Sequence, residues 1–398
     1  MLASSHTQAA STSHAELVII GTGMAGVGLA RALRRQGDQR SITMISADSG
    51  DEYSKPLLST GFVKRIEPDM LAQRSASALA TDLNVQLLPH THVTQLDVGS
   101  QQVQCSNGVR LGYNDIVLAT GAAPRQPFSL DPSVASRCFT INDLDEYRQF
   151  YQALGHSPAK VAIIGAGLVG CEFANDLHAG GHHVDVIAPE GTLLPRLLPP
   201  PLGVALSNAF SEAGIQLHLG RSIDSIALTS DDNLHLCLAN GDAVNADIVL
   251  MATGLSPRST LAERAGLTVS ASGIAVDRQL RTSHPNIYAL GDVACVSGVN
   301  AMYVQPLQAS AKALAATLSG TPTDVSFGAW PVVVKTPLLP VVAYPPISPP
   351  ERWRIEGDGS DISALAENKD GRLIGFALTG GCVRRKVELS RAAPALLG

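Results

Sequence analysis

The sequence predicts an α/β chain made of two similar nucleotide-binding units and a small α+β domain near its C-terminal end. Three observations carry that prediction. An apolar run entering G-x-G-x-x-G occurs twice, as ELVIIGTGMAG at 16–26 and KVAIIGAGLVG at 160–170. Each copy has a downstream partner ending in Ala-Thr-Gly, in YNDIVLATGAAPR at 113–125 and ADIVLMATGLSPR at 246–258. From about residue 325 the chain turns to β-branched residues broken by proline, the mark of edge strands in an antiparallel sheet.

Taken in order, the opening MLASSHTQAASTSHA (1–15) has no apolar period and no signal-peptide pattern, and reads as a disordered tail. The ELVII run reads as a parallel strand buried on both faces. Gly21 then allows a tight turn, Gly23 lets the backbone approach a pyrophosphate, and Gly26 lets helix and strand pack closely. Thr22, Met24 and Ala25 fill the turn, and the helix that begins there offers N–H donors and a positive dipole end to phosphate. SITMISAD is the second strand; Asp48, beside Ala47, is the candidate partner of a ribose hydroxyl, slightly later than the usual spacing. Ala119, Thr120 and Gly121 close the unit's Ala-Thr-Gly strand.

The second unit repeats the pattern with Gly165, Gly167 and Gly170, flanking Leu168 and Val169, and with Gly254 after its own Ala-Thr strand. Its second strand ends in Ala-Pro-Glu. Readers of a 2′-phosphate place arginine there, whereas Glu190 repels phosphate and suits the free hydroxyls of NADH. These are Rossmann-like, three-layer dinucleotide-binding domains. A single glycine match is a weak signal, but two in the same strand–turn–helix context are a strong one.

Composition narrows the remaining classes. The formal charge is −6, with no basic block able to follow a nucleic-acid backbone. No run of about 18 apolar residues occurs, so no membrane span is expected. Six cysteines lie far apart without a CxxC pair, so no metal centre or dithiol is expected, and a reducing, cytoplasmic setting fits. The segment after 325 carries a net charge of about +2, Arg384, Arg385 and Lys386 included, which leaves the rest strongly acidic.

Together the motifs resemble the two-dinucleotide flavoprotein reductases of the glutathione-reductase fold over nearly the whole chain. The resemblance implies an FAD-binding domain at 16–121 and 247–322, an NADH-binding domain at 122–246, and a C-terminal domain at 323–398. TSHPNIYALGDVA (282–294) then sets Gly291 and Asp292 against the FAD ribityl chain, although locally Asp292 also suits a cap for a helix beginning near Gln305. Val93 and Val304 are either FAD contacts or ordinary core.

SGDEYSKPLLSTGF contains no cysteine, so a thiol relay of the disulfide-reducing branches is not implied. YSKPLLSTGF, GCEFANDL, MYVQPL and VVVKTP instead resemble the electron-transfer branch, most closely its members that reduce rubredoxin, a small acidic iron protein. By that resemblance Lys55 lies by the flavin near N5, Glu172 faces the nicotinamide and pairs with Lys55 as the second catalytic residue, and Lys335 lies by the ring. Read alone, Lys55 is also a solvated loop lysine and Glu172 a favourable charge in the first turns of a helix. The implied activity is hydride uptake from NADH and single-electron delivery to rubredoxin, in a chain such as alkane hydroxylation. The alternatives are a ferredoxin reductase of an oxygenase system and an NADH oxidase or diaphorase.

Overall fold

The computed structural model describes residues 13–231 and 233–398. They form two compact units, each assembled from three stretches of chain: 13–53, 72–123 and 256–326 in the first, and 54–71, 124–255 and 327–398 in the second.

In the first unit the apolar runs pair as parallel strands because both faces must be covered. Ser13–Ile20 lies between Ile42–Ile45 and Arg110–Leu118, and Leu17, Val18 and Ile19 are wholly buried. Gln86–Leu88 extends one side, and Ile287–Ala289 pairs with Ile116–Leu118 on the other. An antiparallel meander, Val93–Asp97 and Gln102–Cys105, pairs with the front half of the long strand. Helices Met24–Arg35 and Val304–Leu318 pack face to face, closely enough that a methyl on Gly28 would touch Ala311 Cβ at 3.6 Å. The strand's start at Ser13 corrects the expected tail: Ser13, His14 and Ala15 pair with Leu111, Gly112 and Tyr113, since backbone pairing needs no apolar side chain. Residues 1–12 of that tail lie outside the described residues.

The second unit repeats the parallel core with Lys160–Ile164 between His183–Ala188 and Ile248–Met251, flanked by Gln216–Leu219 and Cys138–Phe139. An antiparallel meander of Ile223–Leu228, Leu234–Leu238 and Ala243–Ala246 follows. The stretch 327–398 adds a five-stranded antiparallel sheet whose edges are the Val332–Val334 and Arg352–Asp358 strands, with helix Lys386–Ala392 closing it.

Two expected boundaries move. Ile248–Met251 pairs with Val161–Ile164, so the stretch to Leu255 belongs to the second unit and not to a first domain resuming at 247. The segment 54–71, which carries Lys55, also leaves the first unit and packs in the second. Among the described residues no helix is long and apolar enough to cross a membrane.

Candidate functional site

The two glycine turns have the same construction. Gly21 has φ +114°, and a methyl there would come within 2.2 Å of Ala119 O; on Gly26 it would come within 2.0 Å of Gly21 O. In the second unit Gly165 has φ +122° with Ala252 O at 2.4 Å, and Gly170 has Gly165 O at 2.0 Å. Only glycine fits those four positions. Gly23 and Gly167 are different, because a methyl on either meets nothing within 4 Å. Space is left on the outer side of the turn, where a ligand's phosphates belong.

Gly23 and Gly167 also begin the helices Met24–Arg35 and Leu168–Ala179, and neither helix has a side-chain cap or an acid in its first turn. Uncapped N–H groups at a positive dipole end suit pyrophosphate. The residues present therefore fit a dinucleotide in each unit.

Around the first turn, Gly291 has φ +79°, and a methyl on it would lie 2.7 Å from Ala25 Cβ. That close approach brings the Gly291–Val293 turn, with Asp292, against the start of the glycine helix. Asn300 fixes the neighbouring backbone by donating to Asp292 O and Ala294 O, both at 3.0 Å. Val304 is the first residue of the Val304–Leu318 helix, whose N-terminus is likewise uncapped. Asp48 Oδ1 accepts from Ser46 Oγ and from the Gly50 N–H at 2.9 Å, and Ala47 beside it is exposed. Thr22 is buried, Ala119 lies at the end of its strand, Thr120 Oγ1 donates to Arg258 O, and Gly121 has φ +68°. Val93 is half-buried at the start of the meander.

In the second unit Glu190 is exposed just beyond the His183–Ala188 strand, and its carbonyl accepts from Gly220 N at 2.8 Å. Leu168 and Val169 open the glycine helix, and Gly254, at φ +99°, accepts from Arg125 N through its carbonyl.

One helix face in this unit gathers groups that are remote in sequence. Glu172, Asn175 and Asp176, at i, i+3 and i+4 of Leu168–Ala179, are all buried. Glu172 Oε2 lies 2.5 Å from Lys335 Nζ and accepts from Ser59 Oγ at 2.7 Å, while Oε1 accepts from Lys335 N at 3.1 Å. Lys335 Nζ donates also to Ser59 Oγ at 2.6 Å and to Pro56 O at 2.5 Å, so its three protons each have an acceptor. Asn175 Oδ1 accepts from Leu338 N, and Asp176 accepts from the Phe62 and Val63 N–H groups at 3.0 and 3.1 Å. Burial pushes the Asp176 carboxyl above its ordinary value, against the pull of those two N–H donors and of Lys335.

The ion pair that the structure gives Glu172 is thus with Lys335, where Lys55 was expected. Lys55 Nζ donates instead to Asn142 Oδ1 at 2.6 Å. Ser59, Asn142, Asn175 and Asp176 are absent from the sequence reading. For Asn175 and Asp176 the signal was GCEFANDL, which sets polar residues at helical spacing among apolar ones, and Ser59 lies within YSKPLLSTGF. Cys171, beside Glu172, is wholly buried, and burial pushes its thiol up to about 12, far from a reactive thiolate.

Comparison with known proteins agrees with this construction. Residues 15–316 match the pyridine nucleotide-disulphide oxidoreductase family, and residues 324–393 match the rubredoxin binding C-terminal domain. The chain is 40% identical to the rubredoxin-NAD(+) reductase of Alcanivorax borkumensis, across 96% of this chain and 99% of that one. It is 36% identical to the rubredoxin-NAD(+) reductase of Acinetobacter baylyi, across 96% and 98%. Among solved structures, the putidaredoxin reductase–putidaredoxin complex superposes with a TM-score of 0.86 at 25% identity, covering 96% of this chain and 94% of that one. With its duplicated glycine turns and these matches along its length, the chain belongs to the pyridine nucleotide-disulphide oxidoreductase family.

Proposed function

We propose that this chain is a rubredoxin-NAD(+) reductase: it takes hydride from NADH and delivers electrons singly to rubredoxin, with FAD as its resident cofactor. The observation that carries the reading is a rubredoxin-binding C-terminal domain at 324–393 behind two uncapped glycine turns. Gly21, Thr22, Gly23, Met24, Ala25 and Gly26 hold the FAD pyrophosphate, with Ala47, Asp48, Val93, Ala119, Thr120, Gly121, Gly291, Asp292 and Val304 along the rest of the cofactor. Gly165, Gly167, Leu168, Val169 and Gly170 hold the NADH pyrophosphate, with Gly254 nearby and Glu190 at the adenosine ribose. Bound FAD supplies a ring that takes up a hydride and returns its electrons one at a time.

The chain's own part is placement and charge. Lys55 supplies a cation at the ring. Glu172 faces the nicotinamide, and its ion pair with Lys335 keeps that carboxylate in one orientation. Alignment of donor and acceptor lowers the hydride barrier, and no general acid or base is required. The chain works in the cytoplasm, where its six free cysteines stay reduced.

Anaerobic bleaching by NADH, with catalytic protein and either rubredoxin or a two-iron ferredoxin, tests the reading. Fast reduction of rubredoxin alone is expected. A preference for ferredoxin moves the chain to an oxygenase system. Failure with both carriers, with rapid oxygen consumption, makes it an oxidase.

A further inference from the structure

Lys55 begins the 3₁₀ turn Lys55–Thr60, and its ammonium is held at 2.6 Å by the side-chain oxygen of Asn142. Asn142 is only 4% exposed, so its amide has little freedom. Its backbone N–H donates to Glu146 Oε2 at 2.7 Å, and the N–H of Glu146 is capped by Asp143 Oδ1 at 2.8 Å. Thr140 Oγ1 donates to the other Glu146 oxygen at 3.2 Å. Asn142 is therefore locked to the first turn of the helix Leu144–Leu154, whichever way Lys55 moves.

The same helix grips the far end of the lysine segment. Phe62 packs at 5.5–5.8 Å against Tyr147, Phe150 and Tyr151, and Arg148 pairs with Asp69 at 2.9 Å. A methyl on Gly61 would lie 2.2 Å from Tyr147 Oη, so the backbone is seated directly on the helix. Helix and segment act as one body, with the oxygen of Asn142 aimed at Lys55.

We infer that Asn142 is a positioning residue of Lys55: its side-chain oxygen accepts from the ammonium and orients the cation, and as an amide it brings no charge of its own. The inference rests on the reading that Lys55 acts on bound FAD. An aspartate at 142 would keep the hydrogen bond and add a charge that offsets the lysine's field. A leucine would keep the bulk and remove this one hydrogen bond.

The experiment measures the two-electron reduction equilibrium of FAD in the loaded protein against reference dyes, without NADH. Wild type, Asn142→Asp, Asn142→Leu, Lys55→Met and the Asn142→Leu/Lys55→Met double variant are compared. Lys55→Met and Asn142→Asp are each expected to lower the equilibrium constant about tenfold, ~30 mV for a two-electron couple. Asn142→Leu is expected to lower it severalfold in the presence of Lys55 and not at all in the Lys55→Met background, the coupling that a positioning role requires. Should Asn142→Leu not retain FAD, Asn142→Ala takes its place in the cycle with the same expected coupling. A shift in Lys55→Met with none in the Asn142 variants overturns the inference and leaves the reading of Lys55 intact. An equal Asn142 effect in both backgrounds also overturns the inference. No shift in Lys55→Met overturns the reading of Lys55, and the inference with it.

Discussion

A single methyl group separates the duties of the two glycine turns. Added at Gly26 or at Gly170 it would meet a carbonyl oxygen at 2.0 Å, that of Gly21 or of Gly165. The oxygens belong to turn backbone, so neither site can relax without reshaping its phosphate cradle. Gly26→Ala is expected to be isolated with little or no FAD, read by absorbance near 450 nm. Gly170→Ala is expected to keep its FAD and to raise the KM for NADH at least tenfold. The reverse pattern would exchange the two nucleotides between the units. These glycines were legible in the sequence because spacing and chemistry coincide there. Asp48 falls later than the usual spacing, and Ser46 and the Gly50 N–H share its Oδ1 oxygen.

The helix Leu168–Ala179 joins three pieces of chain through one polar face. Ser59, Phe62 and Val63 come from one segment, Lys335 and Leu338 from another, and both end on Glu172, Asn175 and Asp176. Asp176 titrates in a way that reports this. Its carboxyl is raised by burial above an ordinary value of 3.8, so the folded chain takes up the proton before the unfolded one as pH falls. The contribution of Asp176 to stability therefore declines as pH rises from about 4 to its folded value, and is constant above that. Asp176→Asn cannot titrate and leaves one of the two N–H groups facing a donor, at a cost of ~1–3 kcal/mol. Thermal melts against pH should show the wild-type margin over this variant narrowing through that window; a widening margin would mean that the hydrogen bonds outweigh burial. This face was mostly illegible beforehand, because partners 113 and 163 residues apart leave no local pattern. The likeness of GCEFANDL and VVVKTP to known motifs named Glu172 and Lys335 without showing that they pair.

At the scale of the whole molecule, charge is distributed unevenly. The chain totals −6, while the stretch from 325 carries about +2. Of the basic run in that stretch, Arg385 is engaged with Glu356 at 2.9 Å and near Glu388 at 3.8 Å, whereas Arg384 and Lys386 are exposed. Replacing Arg384 and Lys386 together by alanine is expected to lower kcat/KM for rubredoxin severalfold at low ionic strength and to flatten its salt dependence. Arg385→Ala should do less, because its charge is already partly offset. Unchanged rates and salt slopes in stopped-flow mixing would remove this patch from docking. The domain plan was readable to the extent that each apolar strand could be recognised, but an apolar run does not say which sheet it joins. That is why Ile248–Met251 and the 54–71 segment fell on the other side of the expected borders. The backbone moves from one unit to the other five times, and this has a consequence during synthesis. A ribosome releases Ser13–Tyr53 early, yet the sheet it starts stays incomplete until Ile287–Ala289 emerges, about 230 residues later. At ~5–20 residues per second the nascent chain waits some 10–50 s with apolar strands uncovered, a window in which chaperones have something to hold.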